Sequence, residues 1–197
     1  MSTTTRGRPR SFDRDAALDK AMRLFWARGY EATSIGDLTA AMGIGAPSLY
    51  AAFGDKKTLF AEVVANFGAR YGGFAARALA EEKTAEAAVR RILREAATEY
   101  TRPECPHGCL VISAGVNTTS PEIADLLREM RNRNIDTFAA RIQADIDAGL
   151  LPGHLDARTL ARYVGTVMQG MSQAARDGAS RDELQRVAEM ALRGWRT

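Results

Sequence analysis

Cysteine, histidine and aromatic residues are scarce in this chain of 197 residues, which has two cysteines, two histidines and 7% aromatics. Two cysteines exclude the disulfide framework on which small secreted domains depend. Zinc prefers paired ligands, and beside Cys105, His107 and Cys109 only the distant His154 is left to supply them, so no metal and no cofactor is expected. No run of about 18 apolar residues occurs, and the Ser/Thr/Arg-rich N-terminus has no apolar stretch behind it. A membrane span and a signal peptide are therefore not expected, and the protein is placed in the cytoplasm. Enzyme signatures are missing as well. There is no Gly-x-Ser-x-Gly elbow and no His-Glu-x-x-His helix. Gly43-Ile44-Gly45 follows a helical segment rather than a strand, with no third glycine or P-loop lysine on schedule. The chain is not read as an enzyme.

Charge of one sign is not abundant either, since the formal net charge is only +3. Its distribution is informative. Residues 1–57 hold nine basic and six acidic residues, so the whole excess lies there and the remainder is neutral. An anionic partner is expected to meet the first third of the chain.

Within that third, residues 33–60 carry two short apolar-periodic segments punctuated by Gly43 and Gly54. Ile35, Leu38 and Met42 recur at spacings of three and four, with Thr33 or Ser34 placed to cap. Gly43 permits the positive φ of a tight exit. In the second segment Gly45 caps, Pro47 falls in the first turn, and Leu49 and Phe53 point inward. Ala46, Pro47, Ser48, Tyr50, Ala51 and Ala52 then face outward, a surface small enough to approach another backbone closely. Upstream, Asp13 caps a helix striped by Leu18, Ala21, Met22 and Phe25 and ended by Gly29. Before it lies the basic stretch Arg6-Gly7-Arg8-Pro9-Arg10, suited to a narrow, electronegative minor groove. Arm, support helix, short helix, turn and short helix make a helix-turn-helix, the pattern of a DNA-binding head. An ordinary helical hairpin is the alternative for this segment.

The segments Phe25-Trp26-Ala27-Arg28-Gly29-Tyr30-Glu31-Ala32-Thr33-Ser34 and Ser48-Leu49-Tyr50-Ala51-Ala52-Phe53-Gly54-Asp55-Lys56-Lys57-Thr58-Leu59-Phe60 resemble the head of the TetR family of bacterial transcriptional regulators. The resemblance runs without gaps from about Phe12 to Phe60. It implies an all-α homodimer with a three-helix DNA-binding head and a larger helical C-terminal domain that binds an effector and dimerises. By position it implies phosphate contacts from Thr33, Tyr50 and Lys56, and entry of residues 45–51 into the major groove. Gly45 stands where the family often has serine and Ala46 where it often has lysine or arginine. Ser48 is then left to bond a base edge and the methyls of Ala46 and Ala51 to touch thymine methyls, with groove shape and the arm Arg6, Arg8 and Arg10 completing the reading.

Three units follow: a basic arm over 1–11, a DNA-binding domain over 12–58 with its motif at about 34–53, and a helical body over 59–197. In the body the spacing predicts one long helix from 55 to about 80, with Leu59, Val63, Phe67 and Phe74 inward. Its glycines, Gly68, Gly72 and Gly73, imply either a close helix contact or a bend. Further helices are expected over 84–101, from Leu110 to Val116, from Pro121 to Gly149, from Asp156 to Gly178, and after the capping box Ser180/Glu183. In the family the last two helices pair with the same two of a second subunit, and Gly165, Gly170, Ala174 and Ala175 here are small enough for close approach.

The resemblance also implies a pocket inside the body. Phe67, Tyr71, Phe74, Ile112, Val116, Met130, Met168 and Met171 are its candidate lining, with Asn117 and Gln169 as orienting polar groups, for a small apolar or aromatic effector. The expected function is that of an effector-responsive repressor, holding palindromic operator DNA as a homodimer and released by a small molecule. A thiol sensor of oxidants or electrophiles built on Cys105 and Cys109 is an alternative on the same scaffold. A helical interaction scaffold without DNA binding is a third.

Overall fold

Helix starts in this chain are set by short polar side chains that take up amides no helix can satisfy internally. Asp13 accepts from the amides of Asp15 and Ala16 at 3.0 and 3.1 Å and opens α1, Arg14–Arg28. Ser34 opens α2, Ile35–Met42, through a reciprocal pair with Asp37. Gly45 and Pro47 begin α3, Ala46–Phe53, and Asp55 caps α4, Lys56–Arg70. Beyond these lie α5, Gly73–Glu81; α6, Ala85–Glu99; α7, Leu110–Ser113; α8, Pro121–Asp147; α9, Ala157–Arg176; and α10, Arg181–Arg193. The computed structural model describes residues 12–196. Those residues form ten α-helices, a 3-10 turn at Gly194–Arg196 and no strands, so the fold is all-α, a three-helix head followed by a larger helical body.

The single helix expected over 55–80 is two. It breaks at Tyr71 and Gly72, where a side chain on Gly72 would stand 3.1 Å from the Gly68 carbonyl oxygen. Tyr71, at the break, lays its ring against Trp26 and Phe67, with centroids 5.1 and 5.6 Å away. The segment expected from Leu110 to Val116 is helical only as far as Ser113. Trp195 is buried in the 3-10 turn that follows α10.

Two apolar clusters hold the molecule. The first joins Phe25, Leu38, Leu49 and Phe53 of the head to Phe60 and Phe67 of α4 and to Leu110, Val111, Ile123 and Leu127 of α7 and α8. The second joins α5, α6, α8, α9 and α10 through Ile92, Ile135, Phe138, Val164, Leu184 and Trp195. Apolar packing therefore continues well past residue 58, the boundary expected between head and body. Removing one such buried ring costs about 3–5 kcal/mol, whereas an exposed ion pair contributes about 0–1 kcal/mol. Burial, not surface charge, seats the head on the body.

A buried polar tie also joins two helices of the body. Asp145 of α8 pairs with Arg141 and accepts from the amide of Ala85 at 2.6 Å, capping α6 from a neighbouring helix.

Candidate functional site

The turn between α2 and α3 is made by Gly43, whose φ of 73° lies in the left-handed region that a Cβ disfavours. It lets α3 leave α2 sharply. Leu49 and Phe53 are buried beneath α3, while Gly45, Pro47, Tyr50 and Ala51 are exposed and Ala46 and Ser48 half-buried. Tyr50 is half exposed, at 50%. Gly45, Ala46, Pro47, Ser48, Tyr50 and Ala51 thus belong to one short helix and its cap, low in side-chain bulk. Arg6, Arg8 and Arg10 lie outside the described residues.

Thr33 differs from expectation. Its side chain is buried and its hydroxyl donates to the Gly29 carbonyl oxygen at 2.7 Å, closing the turn between α1 and α2. That hydroxyl is engaged in the fold and is not presented to a phosphate; Ser34 takes the capping position at the surface. Lys56, at the start of α4, lays its ammonium 4.2 Å from the centre of the Tyr30 ring. Partial burial holds its pKa below the ordinary lysine value. Lys57 instead pairs with Glu122 of α8 at 3.0 Å.

A cavity of about 230 Å³ lies in the body among α4 to α9. Phe67, Phe74, Ile112, Met130, Met168 and Gln169 line it as expected, joined by Gly68, Gly72, Ala75, Tyr100, Cys109, Val111, Arg131, Asn134, Ile135, Phe138 and Gly165. Tyr71 lines a smaller adjoining recess with Trp26 and Gly108. Three expected lining residues are elsewhere. Val116 is 64% exposed and Asn117 also lies at the surface with φ of 61°, because α7 ends before them. Met171 is buried in the second core. Arg131, Asn134, Ile135 and Phe138 recur at i, i+3, i+4 and i+7, so a helical stripe interrupted by arginine was the sequence signal for this wall.

Cys105 and Cys109 are both free thiols. Cys105 is buried beside Tyr71, whose pKa is raised by burial first and by the neighbouring thiol second. Cys109 caps α7, its amide donating to Ser172 Oγ at 2.9 Å, and burial pushes its thiol above the ordinary cysteine value. Between them, Gly108 accepts from Trp26 Nε1 at 3.2 Å and sits against Ser172. The cysteine segment is therefore wedged between α1 and α9. Among the described residues no group of three His, Cys, Asp or Glu side chains could hold a metal ion.

Cavity and head share structural elements. The α4 helix starts at Lys56 in the head and lines the cavity with Phe67 and Gly68. On α7, Val111 and Ile112 face the cavity, and the Ala114 carbonyl that follows accepts from the Tyr30 amide at 3.2 Å. Arg176 of α9 donates to the carbonyls of Trp26 and Ala27, both at 3.2 Å, placing a cation on the C-terminus of α1. These links escaped sequence reading because they join residues as many as 150 positions apart.

The outer faces of α9 and α10 expose apolar groups, Tyr163 at 38%, Val187 at 47% and Met190 at 63%. Gly170 is also open, with nothing within 4 Å of where its Cβ would stand. Two small residues singled out for an intersubunit contact serve inside the chain. A Cβ on Gly165 would collide with Ile135 of α8, and Ala175 is buried in the second core.

Residues 17–63 match the family described as bacterial regulatory proteins, tetR family, and residues 85–191 match the tetracyclin repressor-like C-terminal domain. The chain is 40% identical over 198 residues to the HTH-type transcriptional repressor ComR of Escherichia coli K12, spanning 97% of this chain and 92% of ComR. It is 31% identical over 185 residues to the repressor BdcR of the same organism, spanning 94% and 90%. Among solved structures, a cysteine mutant of the TetR family regulator CifR, complexed with 26bp double-strand operator DNA, superposes with a TM-score of 0.90 at 42% identity. The match covers 95% of this chain and all of that one. A regulator and not an enzyme, the chain belongs to the TetR family of bacterial transcriptional regulators.

Proposed function

We propose that the protein is a repressor that holds palindromic operator DNA as a homodimer and is released by a small apolar or aromatic effector bound in the body cavity. The reading assigns residues 1–11 to a basic arm, 12–58 to the DNA-binding domain and 59–197 to effector binding and dimerisation, with action in the cytoplasm. One observation carries it: α4 runs from the head to the cavity, with Lys56 at one end and Phe67 and Gly68 at the other. ComR and BdcR are named as repressors, and CifR is held on operator DNA, which supports the same role here.

The exposed face of α9 and α10 supplies the subunit contact. Two heads meet successive major grooves only when their recognition helices lie about 34 Å apart. An effector that fits the cavity better at another head separation weakens DNA binding, to the extent of its preference between the two forms. On α3, Tyr50 contacts a phosphate, and Ser48 with the methyls of Ala46 and Ala51 meets base edges. Cys109 lines the same cavity, and burial holds its thiol above the ordinary cysteine value, which favours the effector reading over a thiol sensor.

Selection of bound duplexes from a random pool, followed by a screen of compounds for release of the selected duplex, tests the reading. A palindrome with half-sites one helical turn apart, released by a small molecule, is expected. Absence of DNA affinity even at low salt overturns it.

A further inference from the structure

Among the described residues, Arg131 is the one cation in the wall of a mostly aromatic and aliphatic cavity, whose other polar side chains include Asn134 and Gln169. Only one of its five N–H donors has a protein acceptor: Nη1 donates to the Val111 carbonyl oxygen at 2.9 Å. Among the described residues no carboxylate stands within ion-pair distance of Arg131. The neighbouring acids on α8 are engaged elsewhere, Asp125 with Arg128 at 2.6 Å and Glu129 with Arg133 at 3.6 Å. A half-buried guanidinium without a counter-ion is an incomplete electrostatic arrangement, and it presents the fork geometry that matches a carboxylate. Asn134, one turn further along α8, adds amide donors to the same wall.

From this we infer that the effector is a small carboxylic acid with an aromatic or aliphatic body, its carboxylate held by Arg131 and its body by Phe67, Phe74, Tyr100 and Phe138. The inference rests on the proposed effector role of the cavity and specifies its ligand. The volume of about 230 Å³ equals about eight water molecules, which admits a ligand of roughly ten non-hydrogen atoms. Phenylacetate and octanoate are of that size. Their amides have the same shape without the charge, so the pair isolates the role of Arg131 from that of the cavity wall. A purely structural Arg131, fixing α7 through Val111, would give no preference between acid and amide.

The test is calorimetric titration of the full-length protein with phenylacetate, phenylacetamide, octanoate and octanamide, on the native chain and on Arg131→Lys and Arg131→Met. Each acid should bind about tenfold or more tightly than its amide to the native protein. Arg131→Lys should keep part of that ratio and Arg131→Met should lose it, while the amide affinities stay close to native. The ratio is read within each folded variant, so a general loss of stability does not imitate the effect. Equal binding of acid and amide, a ratio that survives Arg131→Met, or no binding of either acid overturns the inference. Operator binding measured on the same samples separates the two readings. DNA affinity without acid binding removes the carboxylate and leaves the repressor, and acid binding without DNA affinity does the reverse.

Discussion

Glu31, in the turn between α1 and α2, accepts a hydrogen bond from the Thr118 hydroxyl at 2.7 Å across the boundary between head and body. The same carboxylate oxygen accepts from the amides of Thr119 at 2.7 Å and Ser120 at 3.3 Å and from the Thr119 hydroxyl at 3.1 Å, so one head side chain collects four donors from the segment linking α7 to α8. That segment follows directly on Val111 and Ile112 in the cavity wall. Under the proposed effector role, a shift of α7 would reach the turn between α1 and α2 through these contacts.

Glu31→Ala is expected to leave operator binding nearly intact without effector and to reduce effector-induced release several-fold. Substitutions along such a coupling route commonly change the linkage by about 0.5–2 kcal/mol. Operator titrations with and without a saturating effector measure it. An unchanged ratio of the two affinities removes Glu31 from the route.

Acid should loosen the same boundary. Hydrogen bonds from Thr118 and Thr119 hold Glu31 below its ordinary value, and backbone and Lys57 contacts lower Glu122 to about 2. A carboxylate depressed in the folded state stabilises above its unfolded value, and the effect is lost as pH falls through the folded one. The melting temperature of the native protein should therefore approach that of a Glu31→Gln/Glu122→Gln double variant as pH falls from about 4.5 toward 2, the remaining difference at neutral pH being small for exposed groups. Parallel melting curves over that range, with a constant offset, contradict the assignment.

Much of this architecture is legible along the chain, and what is not has a common physical origin. Asp13, Ser34, Gly43, Gly45, Asp55 and Ser180 act within four residues of themselves, so capping and turn chemistry locates the helices. Apolar spacing likewise places Leu49 and Phe53 beneath α3. The contact of Tyr71 with Trp26 at the helix break, the engagement of Thr33 by the turn after Gly29, and the cavity beside the α8–α9 contact of Ile135 and Gly165 all involve the packing of separate segments. Those are tertiary relations that periodicity does not encode. Arg131 stood in the α8 stripe as a visible irregularity, and its meaning needed the cavity.

Gly108 is a position where only glycine fits. Its φ is 80°, and a Cβ would stand 2.7 Å from the Ser172 carbonyl oxygen and 2.9 Å from its Oγ. Gly108→Ala should lower stability by about 2–4 kcal/mol, combining left-handed strain with overpacking against backbone. Urea unfolding measures it, and a change below about 0.5 kcal/mol would show that the cysteine segment has freedom this packing denies it.

Subunit pairing should fail when the apolar face of α10 is charged. Val187→Asp and Met190→Asp are each expected to weaken dimerisation by about thirtyfold or more, as loss of a central interface contact does. Sedimentation at several concentrations reports the state. Operator affinity should fall in parallel because one head reaches one groove. A stable dimer carrying both substitutions moves the interface elsewhere.

The grip of the head on DNA is measured most directly by titrating the selected operator across a range of salt with the native protein, Tyr50→Ala and Lys56→Ala. Native affinity should fall linearly with salt on logarithmic axes, Tyr50→Ala should weaken every sequence by about tenfold, and Lys56→Ala should flatten the slope by about one. Binding that ignores salt, or that neither substitution alters, would contradict a head that holds duplex phosphates through α3 and the start of α4.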